Sequence, residues 1–94
     1  MSLTVKFIGA FRHLSGKTQF TVNFQDSISI RQLIEIITQQ LPALNSTFSD
    51  QELNDSRSNS LILVNGKEIS VLNGLETELY AGDEIVFVPV VHGG

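Results

Sequence analysis

The residues with the most distinctive chemistry stand at the end of the chain, where His92, Gly93 and Gly94 follow an apolar stretch. Because neither glycine carries a Cβ, the carboxylate of Gly94 has no neighbouring side chain and can pass through a narrow channel. The segment 89–94 reaches roughly 20 Å when fully extended. The pattern favours a reactive tail that delivers a carboxylate into the active site of another protein, with a frayed terminus as the alternative.

The sequence offers few residues for other kinds of reactive site. It contains no cysteine, which excludes disulfides, zinc–thiolate and iron–sulfur sites and thiol nucleophiles. The two histidines, His13 and His92, have no matching cluster of carboxylates, so we expect no metal site and a surface role for His13. No phosphate-binding loop of the form G-x-x-x-x-G-K-S/T is present, so we expect the chain to bind no nucleotide cofactor of its own.

The composition fits a single folded domain over residues 1–94, with 41% apolar and 17% charged residues. A net charge of −4 disfavours binding to a nucleic-acid backbone, which needs clustered lysine and arginine. The first residues lack the pattern of a signal peptide, and the longest apolar run, 85–91, is far shorter than the roughly 20 residues of a membrane span. We therefore expect a cytoplasmic protein that binds neither nucleic acid nor membrane.

The first half of the chain predicts a hairpin followed by a helix. Residues 3–9 and 18–24 alternate apolar and polar side chains, as half-buried strands do, and turn residues lie between them. The period then changes to that of an amphipathic helix beginning at Ile30. Ser29 and Gln32 have the spacing of a capping box at its start, and Pro42 ends the helix.

The second half predicts a polar loop and further strands. Residues 45–60 are rich in serine, asparagine and aspartate and indicate a solvated loop. A strand over 61–64 leads into Asn65 and Gly66, the signature of a type I′ hairpin turn. The last strand is predicted over 84–91. The order β-β-α-β-β-β indicates an α+β fold with one helix on one face of a sheet.

Two of these strands are apolar on both faces, although a single helix covers only one face of a sheet. Residues 61–64 and 85–91 are apolar at both parities, a pattern typical of strands that are covered twice. We expect another protein to supply the second cover, because exposed apolar patches mark interaction sites. Burial of these central strands by loops is the alternative.

The phase of the polar residues selects the members of this patch. Glu84 is polar, so Val86 and Val88, which are in phase with it, should point outward. Ile8 shares the outward phase of Lys6. The predicted partner-binding patch is Ile8, Val86 and Val88, with Leu72 at its edge.

Five segments of the sequence carry a resemblance to a known family: residues 11–14, 63–67, 75–79, 82–85 and 89–94. Together they resemble the ubiquitin-like β-grasp sulfur carriers, which include MoaD, ThiS, the ubiquitin-related modifier and the small archaeal modifier proteins. The resemblance extends over nearly the whole chain. It implies a ubiquitin-like β-grasp fold, with a mixed sheet and one main helix packed on one face, and an apolar partner surface.

The resemblance also implies a reaction at Gly94. A partner enzyme of the ubiquitin-activating type, similar to MoeB, uses ATP to adenylate the carboxylate, and a sulfur donor converts the adenylate to a thiocarboxylate. Activation is required because a terminal carboxyl, with a pKa of about 3.3–3.7, is an unreactive anion at neutral pH. In this mechanism Gly93 and Gly94 form the reactive end, and the chain is a carrier and not an enzyme.

The sulfur acceptor stays open at this point. It is a molybdopterin precursor if the chain acts with a MoaE-like large subunit as the small subunit of molybdopterin synthase, or a tRNA base if it serves a tRNA-thiolation enzyme. His92 resembles the ubiquitin-related modifier, whereas many MoaD tails have a small residue there. His92 is either recognised by the activating enzyme or a solvated side chain of the tail.

Two other functions share this fold. In a covalent protein modifier, a lysine attacks the activated carboxylate and forms an isopeptide bond. In a β-grasp binding module, the chain performs no covalent chemistry. The side chains available for self-conjugation are Lys6, Lys17 and Lys67.

Overall fold

The computed structural model of the protein describes residues 1–45, Phe48 and residues 60–90. Within these residues the chain forms two α-helices, seven strands and three short 3₁₀ turns, and neither helix is long and apolar enough to cross a membrane. The helices are α1 (Ala10–Ser15) and α2 (Ile30–Gln40). The strands are β1 (Ser2–Phe7), β2 (Gln19–Asn23), β3 (Ile28–Ser29), β4 (Ser60–Val64), β5 (Lys67–Glu68), β6 (Glu78–Leu79) and β7 (Glu84–Pro89). The 3₁₀ turns are Pro42–Leu44, Ile69–Val71 and Gly74–Glu76.

Five strands form one mixed sheet in the order β2-β1-β7-β4-β5. The central strand, β7, pairs in parallel with β1 and antiparallel with β4. The predicted hairpin of β1 and β2 is confirmed, and β3 pairs with β6 in a separate two-stranded ladder. The last strand along the chain therefore occupies the middle of the sheet.

The connection from β1 to β2 contains a helix where the sequence indicated only a turn. Gly9 (φ +61°) precedes α1 and Gly16 (φ +71°) follows it. The ring of Phe11 packs edge-on against Phe48, with the ring centroids 5.2 Å apart, and anchors the helix to the core. A helix this short buries one side chain, which is too few for a period of 3.6 residues to be visible in the sequence.

The main helix, α2, begins as the sequence predicts. Ser29 Oγ accepts the N–H of Gln32 at 3.1 Å and Gln32 Oε1 accepts the N–H of Ser29 at 2.9 Å, which together form a capping box. The helix ends at Gln40, and Pro42 opens a 3₁₀ turn because it has no N–H with which to continue the helix. The predicted α+β arrangement, with one main helix on one face of a sheet, is confirmed. The fully buried core includes Val5, Phe7, Ile30, Leu33, Ile37, Ile85 and Phe87.

The turn between β4 and β5 fixes the start of the central strand. Asn65 (φ +50°) and Gly66 (φ +86°) adopt the left-handed backbone of the predicted type I′ turn. The Asn65 side chain also donates to Asp83 Oδ1 at 3.0 Å and accepts the N–H of Glu84 at 2.9 Å. Strand β7 begins at Glu84, as predicted, and ends at Pro89. Its predicted end, at residue 91, lies outside the described residues.

Candidate functional site

The chain leaves the sheet toward its tail from the end of the central strand. Pro89 is the last residue of β7, and Val90 is the last residue that the structure describes. The predicted roles of the tail residues therefore stay predictions. The predicted site residues of the tail, which lie outside the described part of the chain, are His92, Gly93 and Gly94.

The root of the tail is held against the end of β1. The N–H of Ile8 donates to the carbonyl oxygen of Phe87 at 3.1 Å, which continues the β1–β7 ladder beyond its last strand pair. A Cβ built on Gly9 would lie 3.1 Å from Cγ of Pro89, so the backbone of Gly9 closely approaches the proline ring. Strand β7 thus releases the chain at a fixed point beside α1.

The face of the sheet opposite α2 carries most of the predicted patch. Lys6 lies opposite Val86 in the β1–β7 pair, and Ile8 and Val88 each follow the Phe7–Phe87 pair by one residue. Ile8 is 42% exposed, and Val86 and Val88 are half-buried. The structure therefore brings these three predicted residues to one face.

Two further residues extend this apolar surface onto β4. Leu63 lies opposite Val86 and Leu61 lies opposite Val88, and both leucines are half-buried. They alternate with Ile62 and Val64, which face the core. The sequence signal for them was the apolar character of β4 at both parities, but choosing the outward pair required the register with β7. We call Ile8, Leu61, Leu63, Val86 and Val88 the outer strip.

Polar groups border the outer strip on the β1 and β2 side. Lys6 Nζ and Glu84 Oε2 form an ion pair at 2.9 Å across β1 and β7. Beyond it, β2 presents the exposed polar side chains of Gln19, Thr21 and Asn23. The apolar surface is thus confined to one half of the face.

Among the residues that the structure describes, no three histidine, aspartate or glutamate side chains come close enough together to hold a metal ion.

Leu72 occupies a different position from the other predicted residues. It follows the 3₁₀ turn Ile69–Val71, which leaves β5 and packs beside β4. Leu72 is 41% exposed and its neighbour Val71 is 73% exposed. Leu72 therefore lies in the segment after β5 and not on a strand of the face.

Comparison with known proteins connects this geometry to a family. The family model of the ThiS family matches residues 5–94. The chain is 35% identical over 74 residues to a protein of Archaeoglobus fulgidus named "Putative sulfur carrier protein", a match that covers 73% of this chain and 77% of the other.

Solved structures show the same fold over nearly the whole chain. The solution structure of small archaeal modifier protein 1 from Methanosarcina acetivorans superposes with a TM-score of 0.80 at 28% identity and covers 99% of this chain and 96% of its own. The structure named "Putative molybdopterin converting factor, subunit 1" from Pyrococcus furiosus superposes with a TM-score of 0.80 at 25% identity, covering 97% and 99%. These neighbours confirm the predicted ubiquitin-like β-grasp fold. Because the family model spans almost the whole sequence, the chain belongs to the ThiS family of small sulfur carrier proteins.

Proposed function

We propose that the chain carries sulfur as a thiocarboxylate on Gly94. The carboxylate attacks the α-phosphorus of ATP bound to a MoeB-like adenylating enzyme and displaces pyrophosphate, which leaves a mixed anhydride. A sulfide-equivalent donor then attacks the carbonyl carbon and expels AMP, so that sulfur replaces one carboxylate oxygen. The observation that carries this proposal is that the tail leaves the domain from the end of the anchored central strand. The chain belongs to the ThiS family and contains no thiol of its own.

The absence of cysteine narrows where sulfur can reside. A persulfide carrier needs a thiol, and this sequence has none. The terminal carboxylate is then the group that can hold sulfur covalently once it has been activated. The chain is accordingly a substrate of its partner enzymes, and ATP binds to the partner.

The outer strip supports docking to these partners. Its apolar side chains extend from Leu61 and Val88, beside the tail root, to Leu63 and Val86 further down the sheet. A partner that covers the strip therefore also receives the tail. Leu72 and His92 extend the proposed contact at the β5 edge and on the tail. Apolar patches of this kind are recognised through burial, with a polar rim around them.

For the sulfur acceptor, we favour a molybdopterin precursor, with the chain acting as the small subunit beside a MoaE-like large subunit. The support is the 25% identity to the Pyrococcus furiosus protein, whose name refers to a molybdopterin converting factor. Transfer to tRNA through a thiolation enzyme is the second acceptor that we consider.

A covalent modifier is a second candidate function. It is favoured by the 28% identity to a small archaeal modifier protein. In that function a lysine amine attacks the same adenylate and expels AMP. Within the chain itself, Lys6 is engaged with Glu84, whereas Lys17 and Lys67 are exposed.

Intact-mass spectrometry tests the proposal. The purified chain is incubated with the adenylating enzyme of its source organism, ATP and sulfide, and we expect the mass gain of one sulfur replacing one oxygen. A chain lacking Gly94 is the control and should not change. An unchanged mass for the intact chain would refute the sulfur-carrier proposal. Ladders of conjugates in the host lysate would then favour the modifier.

The acceptor is decided by deleting the gene in the source organism. We expect loss of molybdoenzyme activity, which the intact gene should restore and a gene lacking the Gly94 codon should not. Loss of thiolated uridine in tRNA, with molybdoenzyme activity retained, would assign the chain to tRNA thiolation instead.

A further inference from the structure

Beside the tail root, α1 and the loop after it form an open depression of about 430 Å³. Among the residues that the structure describes, its lining contains three basic side chains and no acidic one, and all three are exposed. We call this feature the basic depression. It is lined by Gly9, Arg12, His13, Gly16, Lys17 and Thr18.

The cations of the basic depression differ from others in the described part of the chain. Lys6 and Arg31 each lie 2.9 Å from a glutamate oxygen. Arg12 and Lys17, by contrast, make no ion pair with any residue that the structure describes. Since the chain as a whole carries a net charge of −4, the depression is a local positive surface on a negative protein.

The charge is also arranged along the axis of the sheet. Asp83 and Glu84 lie at the start of β7, whereas the basic depression lies at the opposite end, where Gly9 contacts Pro89. A partner that receives the tail must approach the end of the sheet at which β7 stops. It therefore meets the basic depression together with Ile8, Leu61 and Val88, the members of the outer strip nearest that end.

The length of the tail indicates which part of the partner the depression faces. Residues 91–94 reach at most about 14 Å beyond Val90 when they are extended into a channel. The phosphates of ATP must lie where the carboxylate of Gly94 reacts, at the far end of that reach. The basic depression therefore faces the protein surface around the channel entrance and not the nucleotide.

We propose that the basic depression docks an acidic surface patch of the adenylating enzyme at the rim of its tail channel, an inference that rests on the proposed function. Opposite charges accelerate association and fix the orientation in which two proteins meet. Arg12 offers a planar pair of donors suited to a carboxylate, and Lys17 adds a point charge beside it. A nucleic-acid backbone is disfavoured as the occupant because the rest of the chain would repel it.

The test compares two charge reversals of equal size. Lys17→Glu lies in the basic depression, and Lys67→Glu lies at the start of β5. Association rates with the adenylating enzyme are measured over a series of salt concentrations. We expect Lys17→Glu, and likewise Arg12→Glu, to slow association at low salt by about fivefold and to flatten its salt dependence, while Lys67→Glu changes the rate by less than about twofold. Urea unfolding of each variant verifies that the fold is retained.

Each outcome has a distinct meaning. Equal slowing by Lys17→Glu and Lys67→Glu would overturn the proposal, because net charge alone would then explain the effect. Unchanged enzyme association, combined with loss of binding to a tRNA probe in Arg12→Glu, would assign the depression to a phosphate backbone and overturn it too. If the wild-type chain is not adenylated at all, the proposed function fails first and this inference falls with it.

Discussion

Gly9 is the residue that sets how closely α1 approaches the root of the tail. Its backbone has φ +61° and ψ −131°, a combination that side chains strongly disfavour. A Cβ at the same residue would make a tight contact, 3.1 Å from Cγ of Pro89. The strain of a substitution and its steric contact therefore act at one position, directly beside the point where the tail begins.

We predict that Gly9→Ala lowers the free energy of unfolding by about 2 kcal/mol through this strained backbone and contact. Gly16→Ala is the control, because Gly16 also has a positive φ but lies in the ordinary left-handed region (ψ 12°) and has open space where a Cβ would lie. It should lower the free energy by about 1 kcal/mol from the left-handed backbone alone. Urea denaturation measures both, and equal losses would show that neither the backbone of Gly9 nor its approach to Pro89 adds to the cost.

Local residue patterns were predictable where sequence neighbours make the contact. Ser29 and Gln32 lie three residues apart, so their capping box could be read directly. The hydrogen bonds that the Asn65 side chain donates to Asp83 and accepts from Glu84 could not be predicted, because they connect positions 18 and 19 residues apart. They depend on β4 and β7 being neighbours, which is a property of the sheet.

At the scale of elements, β4 and β7 present apolar side chains to both sides. Their inner residues pack under α2, whereas the outer strip remains partly exposed in the free chain. This division means that a substitution on the outer strip should affect a partner more than the fold. The same substitution at a neighbouring position of either strand would replace a buried core residue.

We predict that Val88→Asp weakens binding to the adenylating enzyme by about tenfold or more, because a charge would be desolvated in the contact. Thr21→Asp, on the polar half of the same face, is the control and should bind almost as the wild type does. Calorimetric titration measures both affinities. Unfolding of Val88→Asp in the absence of partner would instead place Val88 in the core.

The elements differed in how well they could be predicted from the sequence. The helix α2 was predictable because it repeats its apolar positions over several turns. The helix α1 was missed because only Phe11 is buried, and its partner Phe48 lies far along the chain. For the outer strip, the phase of Glu84 identified Val86 and Val88, but Leu61 and Leu63 needed the strand register.

At the scale of the whole molecule, the sheet is closed by the strand that comes last in the sequence. Removing β7 would leave β1 and β4 without their shared neighbour and would delete Ile85 and Phe87, which are fully buried. Strand order of this kind cannot be predicted from local patterns, because the sequence of residues 84–89 does not indicate which strands they pair with. The sequence predicted the two hairpins and the main helix, whereas the place of β7 between β1 and β4 emerged only from the fold.

We predict that a chain ending at Asp83 does not fold. The free energy lost with the contacts of β7 should exceed the net free energy of unfolding of a small domain, which is roughly 5–15 kcal/mol. A chain ending at Val90 should keep its free energy of unfolding to within about 1 kcal/mol, since β7 ends at Pro89. Circular dichroism and amide NMR spectra distinguish the two. A folded chain lacking β7 would contradict the central role of this strand.

The parallel pairing of β1 and β7 also has a mechanical consequence. The two strands run the same way, so the chain enters the sheet at one end of this pair and leaves it at the other. Tension between the tail and the start of the chain loads the hydrogen bonds of this pair together, in shear. An antiparallel hairpin pulled at its two ends would instead open one bond at a time. The tail therefore follows a strand whose bonds to β1 would have to break together under such a load, which favours resistance to unfolding when the tail is pulled.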